Sequence, residues 1–86
     1  MEKYYVYILE SETTGKLYIG QTNNPEKRLL DHNRGASTYT KNKGHWRRIY
    51  LKEFESRTES ILLEKTLKSW KSPERIRSMI KRECVG

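Results

Sequence analysis

Two runs rich in aromatic and β-branched residues, KYYVYILE at 3–10 and KLYIGQ at 16–21, stand five residues apart. So short a connection predicts an antiparallel hairpin. The intervening SETTG consists of turn formers and ends in Gly15, which takes positive φ without steric penalty. Apolar residues occupy both alternating faces of the first run, so that strand should be covered on both sides. The hairpin also raises a chemical question. It carries Tyr7 and Tyr18, and alternating side chains in paired strands can bring two such tyrosines onto one face.

The rest of the chain is punctuated by helix starts. Asn24-Pro25-Glu26 supplies an N-cap side chain, a proline at the first helical position and an acid near the positive end of the helix dipole. This helix should run from Pro25 to about Asn33 and stop near Gly35. Residues 34–45, RGASTYTKNKGH, form a polar, basic loop too long for an idle connector. WRRIYLKEF at 46–54 predicts a third strand. Ser56-Arg57-Thr58-Glu59 has the pattern of a capping box, so a second helix should span Ser56 to about Lys71. Ser72-Pro73-Glu74 begins a third, ending near Arg82 or Glu83. The expected fold is α+β: a small three-stranded antiparallel sheet flanked by helices, in the order ββαβαα. At 86 residues this is one domain, 1–86, with a modest core.

Charge narrows the partner. Eighteen Lys and Arg against eleven Asp and Glu give a net charge of +7, which points to a polyanion, most simply nucleic acid. Cys84 is the single cysteine, so neither an internal disulfide nor a metal–thiolate cluster can form. The N-terminus lacks the features of a signal peptide, and no run approaches the ~20 apolar residues of a membrane span. The expectation is a cytoplasmic protein without a membrane partner or an organic cofactor.

Several side chains carry candidate chemistry. Arg28 and His32 lie four apart and share a helix face. Leu63, Leu67 and Trp70 form a helical stripe that should be core. Glu64 falls about 60° from Leu67 at 100° per residue, at the edge of that stripe. Each has a plain structural explanation. Glu64 and Lys68 form an ordinary i,i+4 pair, Arg28 and His32 a solvated face, and Tyr7 and Tyr18 strand residues.

Taken together, these residues resemble the GIY-YIG nuclease family. The first signature stands here as Tyr5-Val6-Tyr7 and the second as Tyr18-Ile19-Gly20. Arg28 and His32 follow on the first helix, and Glu64 closes Ile61-Leu62-Leu63-Glu64. The similarity is greatest to small bacterial members made of this domain and little else. Three departures stand out: Tyr5 replaces the first glycine, no asparagine follows the glutamate helix, and Gln21 replaces a lysine common in excision-repair relatives.

The resemblance implies a metal-dependent endonuclease that hydrolyses phosphodiester bonds, most simply in DNA, with a repair or structure-related role. Its catalytic set would be Tyr7, Tyr18, Arg28, His32 and Glu64. Glu64 would be the ligand of one Mg²⁺ or Mn²⁺ ion, since a lone carboxylate suits an ion that keeps its waters and binds phosphate oxygens. Arg28 would hold phosphate with its two-pronged guanidinium. One tyrosine would act as base, its phenolate stabilised by Arg28 and the metal, and His32 would relay a proton or orient a hydroxyl. Spacing does not rank the two tyrosines. Arg34, Tyr39, Lys41, Lys43, Arg47, Arg48, Lys68 and Lys71 are the expected nucleic-acid contacts, with Arg75, Arg77, Lys81 and Arg82 adding charge. The alternative is a non-catalytic nucleic-acid-binding module on the same fold. A basic protein–protein adaptor is a third reading.

Overall fold

The computed structural model describes residues 3–35 and 45–83. Strand β1 spans Tyr4–Ser11 and strand β2 Leu17–Thr22, each shifted by one residue from the expected bounds. They pair antiparallel, with Tyr7 opposite Gly20 and Leu9 opposite Tyr18. The turn is locked by Ser11, whose hydroxyl accepts from the Thr13 and Thr14 amides at 3.2 and 3.1 Å. Gly15 takes φ +75° there.

Helix α1 is Pro25–Asn33. The Asn24 side chain caps it by accepting from the Lys27 amide at 3.2 Å, and Gly35 at φ +81° turns the chain out of it. Strand β3, Trp46–Phe54, pairs antiparallel with β1, so the sheet order is β2-β1-β3 and the central strand is the first in sequence. The β1–β3 register shifts between Ile8 and Leu9. The extra residue, Ile49, packs with its neighbour Tyr50 against one core, as a bulge allows.

Helix α2 is Arg57–Trp70 and helix α3 is Pro73–Glu83. Ser72 caps α3 through the Arg75 amide at 3.2 Å. The capping box expected at Ser56 is not made. Ser56 occupies the N-cap position, but its side chain makes no cap hydrogen bond. The start of α2 is held instead by the Ser60 amide on the Ser56 carbonyl at 3.3 Å, while the Ser60 hydroxyl turns to the Arg57 carbonyl.

The sheet separates two apolar clusters. One gathers Val6, Ile8, Ile19 and Tyr50 with Leu67 of α2 and Ile76 and Met79 of α3. The other is smaller: Tyr7, Leu9 and Trp46, with Tyr18 and Leu29 of α1 packed against them. Strand β1 therefore is covered on both faces, as its composition predicts. Its odd-numbered side chains turn Tyr7 toward α1, and its even-numbered ones supply the larger core.

Candidate active site

The hairpin register explains the glycine of the second signature. Tyr7 faces Gly20 directly across the strands, and its ring lies over that glycine. A β-carbon on residue 20 would stand 2.4 Å from both Cζ and the hydroxyl of Tyr7. No real contact tolerates that separation. Glycine at position 20 thus makes the space in which the Tyr7 ring lies.

Tyr18, opposite Leu9, is the diagonal neighbour of Tyr7 on the same face, with ring centroids 6.2 Å apart. From α1, His32 packs against both, completing a triangle of rings. Its ring centroid lies 4.7 Å from that of Tyr18, and Nε2 is 3.0 Å from the Tyr7 hydroxyl. His32 is 1% exposed and Tyr7 2% exposed, so this bond is made away from water.

Arg28, one turn before His32, acts on the Tyr7 hydroxyl and favours its ionised form. Between Tyr7 and a neutral His32, the direction of the hydrogen bond follows from the imidazole tautomer. The electrostatics agree with a neutral imidazole. Burial first, and then the charge of Arg28, hold His32 below its ordinary pKa, with Asp31 acting in the opposite sense. Tyr7 is pushed up, chiefly by burial, although Arg28 pulls it down. Arg28 acts in the expected sense, but beside so buried a hydroxyl desolvation outweighs the guanidinium.

Glu64 approaches from α2. Its charge is felt at the Tyr7 hydroxyl and raises the tyrosine further. Its side chain is 20% exposed, at the rim of the stripe anchored by fully buried Leu67. The i,i+4 pair with Lys68 forms, at 3.2 Å, so the plain role and the site position coexist.

Among the described residues no three His, Cys, Asp or Glu side chains converge as a metal cage. The donor set is one carboxylate with hard hydroxyl oxygens nearby. That fits Mg²⁺ or Mn²⁺ held largely by water and phosphate, and does not fit four-ligand zinc. Asp31, the other acid near the site, is committed elsewhere. It pairs with Arg34 at 2.6 Å, Arg28 at 3.7 Å and Lys27 at 4.0 Å. Sequence reasoning passed over Asp31, although its place three residues after Arg28 signals an i,i+3 pair that orients the guanidinium. It also passed over the packing role of Gly20, which only the strand register reveals.

The expected nucleic-acid contacts are scattered. Tyr39, Lys41 and Lys43 lie outside the described residues. Arg34 bonds Asp31, Arg47 bonds Glu10 at 2.8 Å and Arg48 bonds Glu26 at 2.9 Å. The Arg47 and Arg48 pairs are exposed and weak, whereas Asp31 beneath Arg34 is buried. Arg77 is structural in addition: it ties α3 to Glu10 and to the Gly15 carbonyl at 2.9 Å. Arg75 lies over the Trp70 ring at 4.2 Å. Lys68 and Lys71 remain at the edge of β2, beside Tyr18.

Tyr7, Tyr18 and His32 thus form one ring cluster, and the charges of Arg28 and Glu64 act on its Tyr7 hydroxyl. The family model described as the GIY-YIG catalytic domain matches residues 3–77, which include all five. The chain belongs to the GIY-YIG family. That superfamily is one of nucleases. The chain is similar to a UPF0213 protein of Staphylococcus saprophyticus, 30% identical over 90% of this chain and 94% of the relative. It is also similar to one of Oceanobacillus iheyensis, 38% identical over 78% of each. The solution NMR structure of a UPF0213 protein from Bacillus halodurans superposes with a TM-score of 0.60 at 29% identity, covering 92% of this chain and 83% of that one. No helix among the described residues of this GIY-YIG protein is long and apolar enough to cross a membrane.

Proposed function

We propose that this protein is a metal-dependent endonuclease hydrolysing phosphodiester bonds in nucleic acid, DNA first, as a single GIY-YIG-type domain over residues 1–86. The carrying observation is the buried hydrogen bond between the Tyr7 hydroxyl and His32 Nε2, with the Arg28 charge acting on the same hydroxyl. Any buried tyrosine hydroxyl needs a partner, as Tyr50 finds in Glu83; what sets Tyr7 apart is that its partner is a titratable imidazole with Arg28 beside it. In the proposed reaction the Tyr7 proton passes to neutral His32, and the Tyr7 oxygen takes a proton from the attacking water. Arg28 stays charged throughout, stabilising the phenolate and then the charge that builds on the phosphate. Tyr18 flanks His32 and fixes its ring plane.

Glu64 would hold one Mg²⁺ or Mn²⁺ ion, which would neutralise the carboxylate that otherwise raises Tyr7 and offset phosphate charge. The net charge of +7 supports a polyanionic substrate, and a single cysteine fits a reducing cytoplasm. A repair or structure-related role follows from the resemblance alone.

The test is cleavage of branched, flapped, single-stranded and duplex DNA, with and without Mg²⁺ or Mn²⁺. Metal-dependent nicking that disappears in Glu64→Ala is the expected result. Binding without nicking on every substrate would make the protein a nucleic-acid-binding module instead.

A further inference from the structure

The edge strand β2 is bordered on its outer side by a groove of about 570 Å³. Leu17, Ile19 and Ile76 make its apolar floor, over fully buried Leu67. Lys16, Lys68 and Lys71 stand on its rim, and Tyr18, which packs with Tyr7 on the other sheet face, also borders it. An apolar slot that size accommodates one small organic group, and three ammonium groups around it select an anionic one. Lys68 also bonds Glu64 at 3.2 Å, so rim and candidate metal ligand adjoin.

Lys71 adds an independent observation. It ends α2 in the left-handed conformation, φ +51°, the only non-glycine residue with positive φ among those described. Helix ends of this kind normally use glycine. Lysine accepts the strain here and places a cation on the rim.

We propose that this groove seats one unpaired nucleotide of the strand being processed, its base on the apolar floor and its flanking phosphates on Lys16, Lys68 and Lys71. The assignment rests on the nucleic-acid reading above. It extends that reading to a preference for substrates with an unpaired nucleotide next to the scissile phosphate. The base contributes stacking-type apolar contact and the lysines a salt-sensitive grip, the combination used by single-strand binders.

The experiment is an amide NMR titration of the full chain with deoxyadenosine monophosphate, and separately with inorganic phosphate. The nucleotide should move the amides of Leu17, Ile19, Lys68 and Lys71, whereas phosphate should leave the floor residues in place. Lys16→Gln and Lys71→Gly should each weaken nucleotide binding roughly two- to fivefold, the scale of a single exposed charge contact. Lys71→Gly should keep or raise the melting temperature, because glycine relieves the backbone; this separates lost binding from lost fold. Shifts confined to Gly20, Arg28 and His32, a phosphate pattern identical to the nucleotide pattern, or an undiminished affinity in Lys71→Gly would each overturn the assignment. A chain that seats the nucleotide but cuts no DNA in either metal loses the nuclease reading and keeps the groove. One that cuts DNA without groove shifts does the reverse.

Discussion

The two faces of the sheet are built from the same three strands and serve opposite ends. On the α2–α3 side, Val6, Ile8, Ile19, Leu67 and Met79 bury plain hydrocarbon. On the α1 side, the alternate residues of the same strands bury Tyr7 and Trp46 against His32, with Arg28 and Asp31 at the margin. A face of hydrocarbon stabilises by removing surface from water, at about 25 cal/mol per Å². A face of hydrogen-bonding rings gains less per contact and is costly when any partner is lost. The period of two along β1 therefore divides stability from chemistry within one strand. Glu64 is the exception: α2 carries it at the rim of the hydrocarbon face, and its charge acts on the hydroxyl of the other.

The sharpest test of that division is a pair of substitutions on one helix. Glu64→Ala should reduce cleavage by about 10²–10³-fold with little change in melting temperature, since its ion pair is partly exposed. Leu67→Ala, three residues on and fully buried, should cost about 2–5 kcal/mol of stability. Steady-state cleavage and thermal melts on both proteins decide it. If Glu64→Ala cleaves at the parental rate with the same metal, the chemical half of the comparison fails.

Gly20→Ala comes next, because it strikes the site through packing. The new methyl would collide with Cζ and the hydroxyl of Tyr7, so ring or strand must shift. Overpacking of this kind costs about 1–3 kcal/mol, and activity should fall with it. Gly15→Ala is the control. Nothing lies within 4 Å of its added methyl, so only the positive φ penalises it, and cleavage should survive. Combining Gly20→Ala with Tyr7→Leu should relieve the collision, leaving a stability loss no larger than that of Tyr7→Leu alone, and activity should stay lost. Urea midpoints and cleavage rates together would show whether that coupling exists.

The elements were legible because their signals are local. Asn24-Pro25, Ser72-Pro73 and Gly15 act within four residues of themselves, and all three elements they announce are present. What local signals do not encode is which side of the sheet each helix covers. That depends on the β2-β1-β3 order and on the extra residue Ile49, both consequences of long-range packing. The site was legible as five residue types in order, since the resemblance reads order. Its energetics were not. The loss of water around Tyr7 arises from Leu9, Trp46 and Leu29 packing nearby, so the sequence showed the lowering pull of Arg28 but not the burial that outweighs it.

That burial makes the chemical face the pH-sensitive one. His32 has its folded pKa below the ordinary value of 6.5. The unfolded chain therefore binds the proton more readily, and stability present above about pH 6.5 should be lost as pH falls through that value toward the folded pKa. Tyr7 is raised above 10.0, so its contribution is complete below pH 10 and lost as pH rises toward the folded value. The hydrocarbon face contributes neither slope. Urea midpoints from pH 5 to 8 should fall on the acidic side. Tyr7→Phe leaves His32 Nε2 without its hydroxyl partner, so it should cost about 1–3 kcal/mol as well as activity. Tyr18→Phe should leave the acidic slope unchanged. A flat profile from pH 5 to 8 in the parent chain would mean that His32 does not titrate on unfolding.

The smallest expected effect contrasts the helix that carries the chemistry with the one that carries the core. Asn24 accepts from the Lys27 amide, and removing such a cap typically costs about 1 kcal/mol. Asn24→Ala should therefore lower the melting temperature by about 4–8 °C in a domain of this size. Because α1 holds both Arg28 and His32, fraying its first turn should also reduce cleavage. Ser56 occupies the equivalent position of α2 without a side-chain bond. Ser56→Ala should shift melting by no more than about 0.5 kcal/mol in free energy, the range of an unremarkable surface change. Parallel melts of the two alanine variants measure the difference directly. Equal losses would show that Ser56 caps α2 in solution, and that both helices depend on their first turns alike. Unequal losses would place the dependence on α1, where a displaced first turn carries Arg28 away from the Tyr7 hydroxyl.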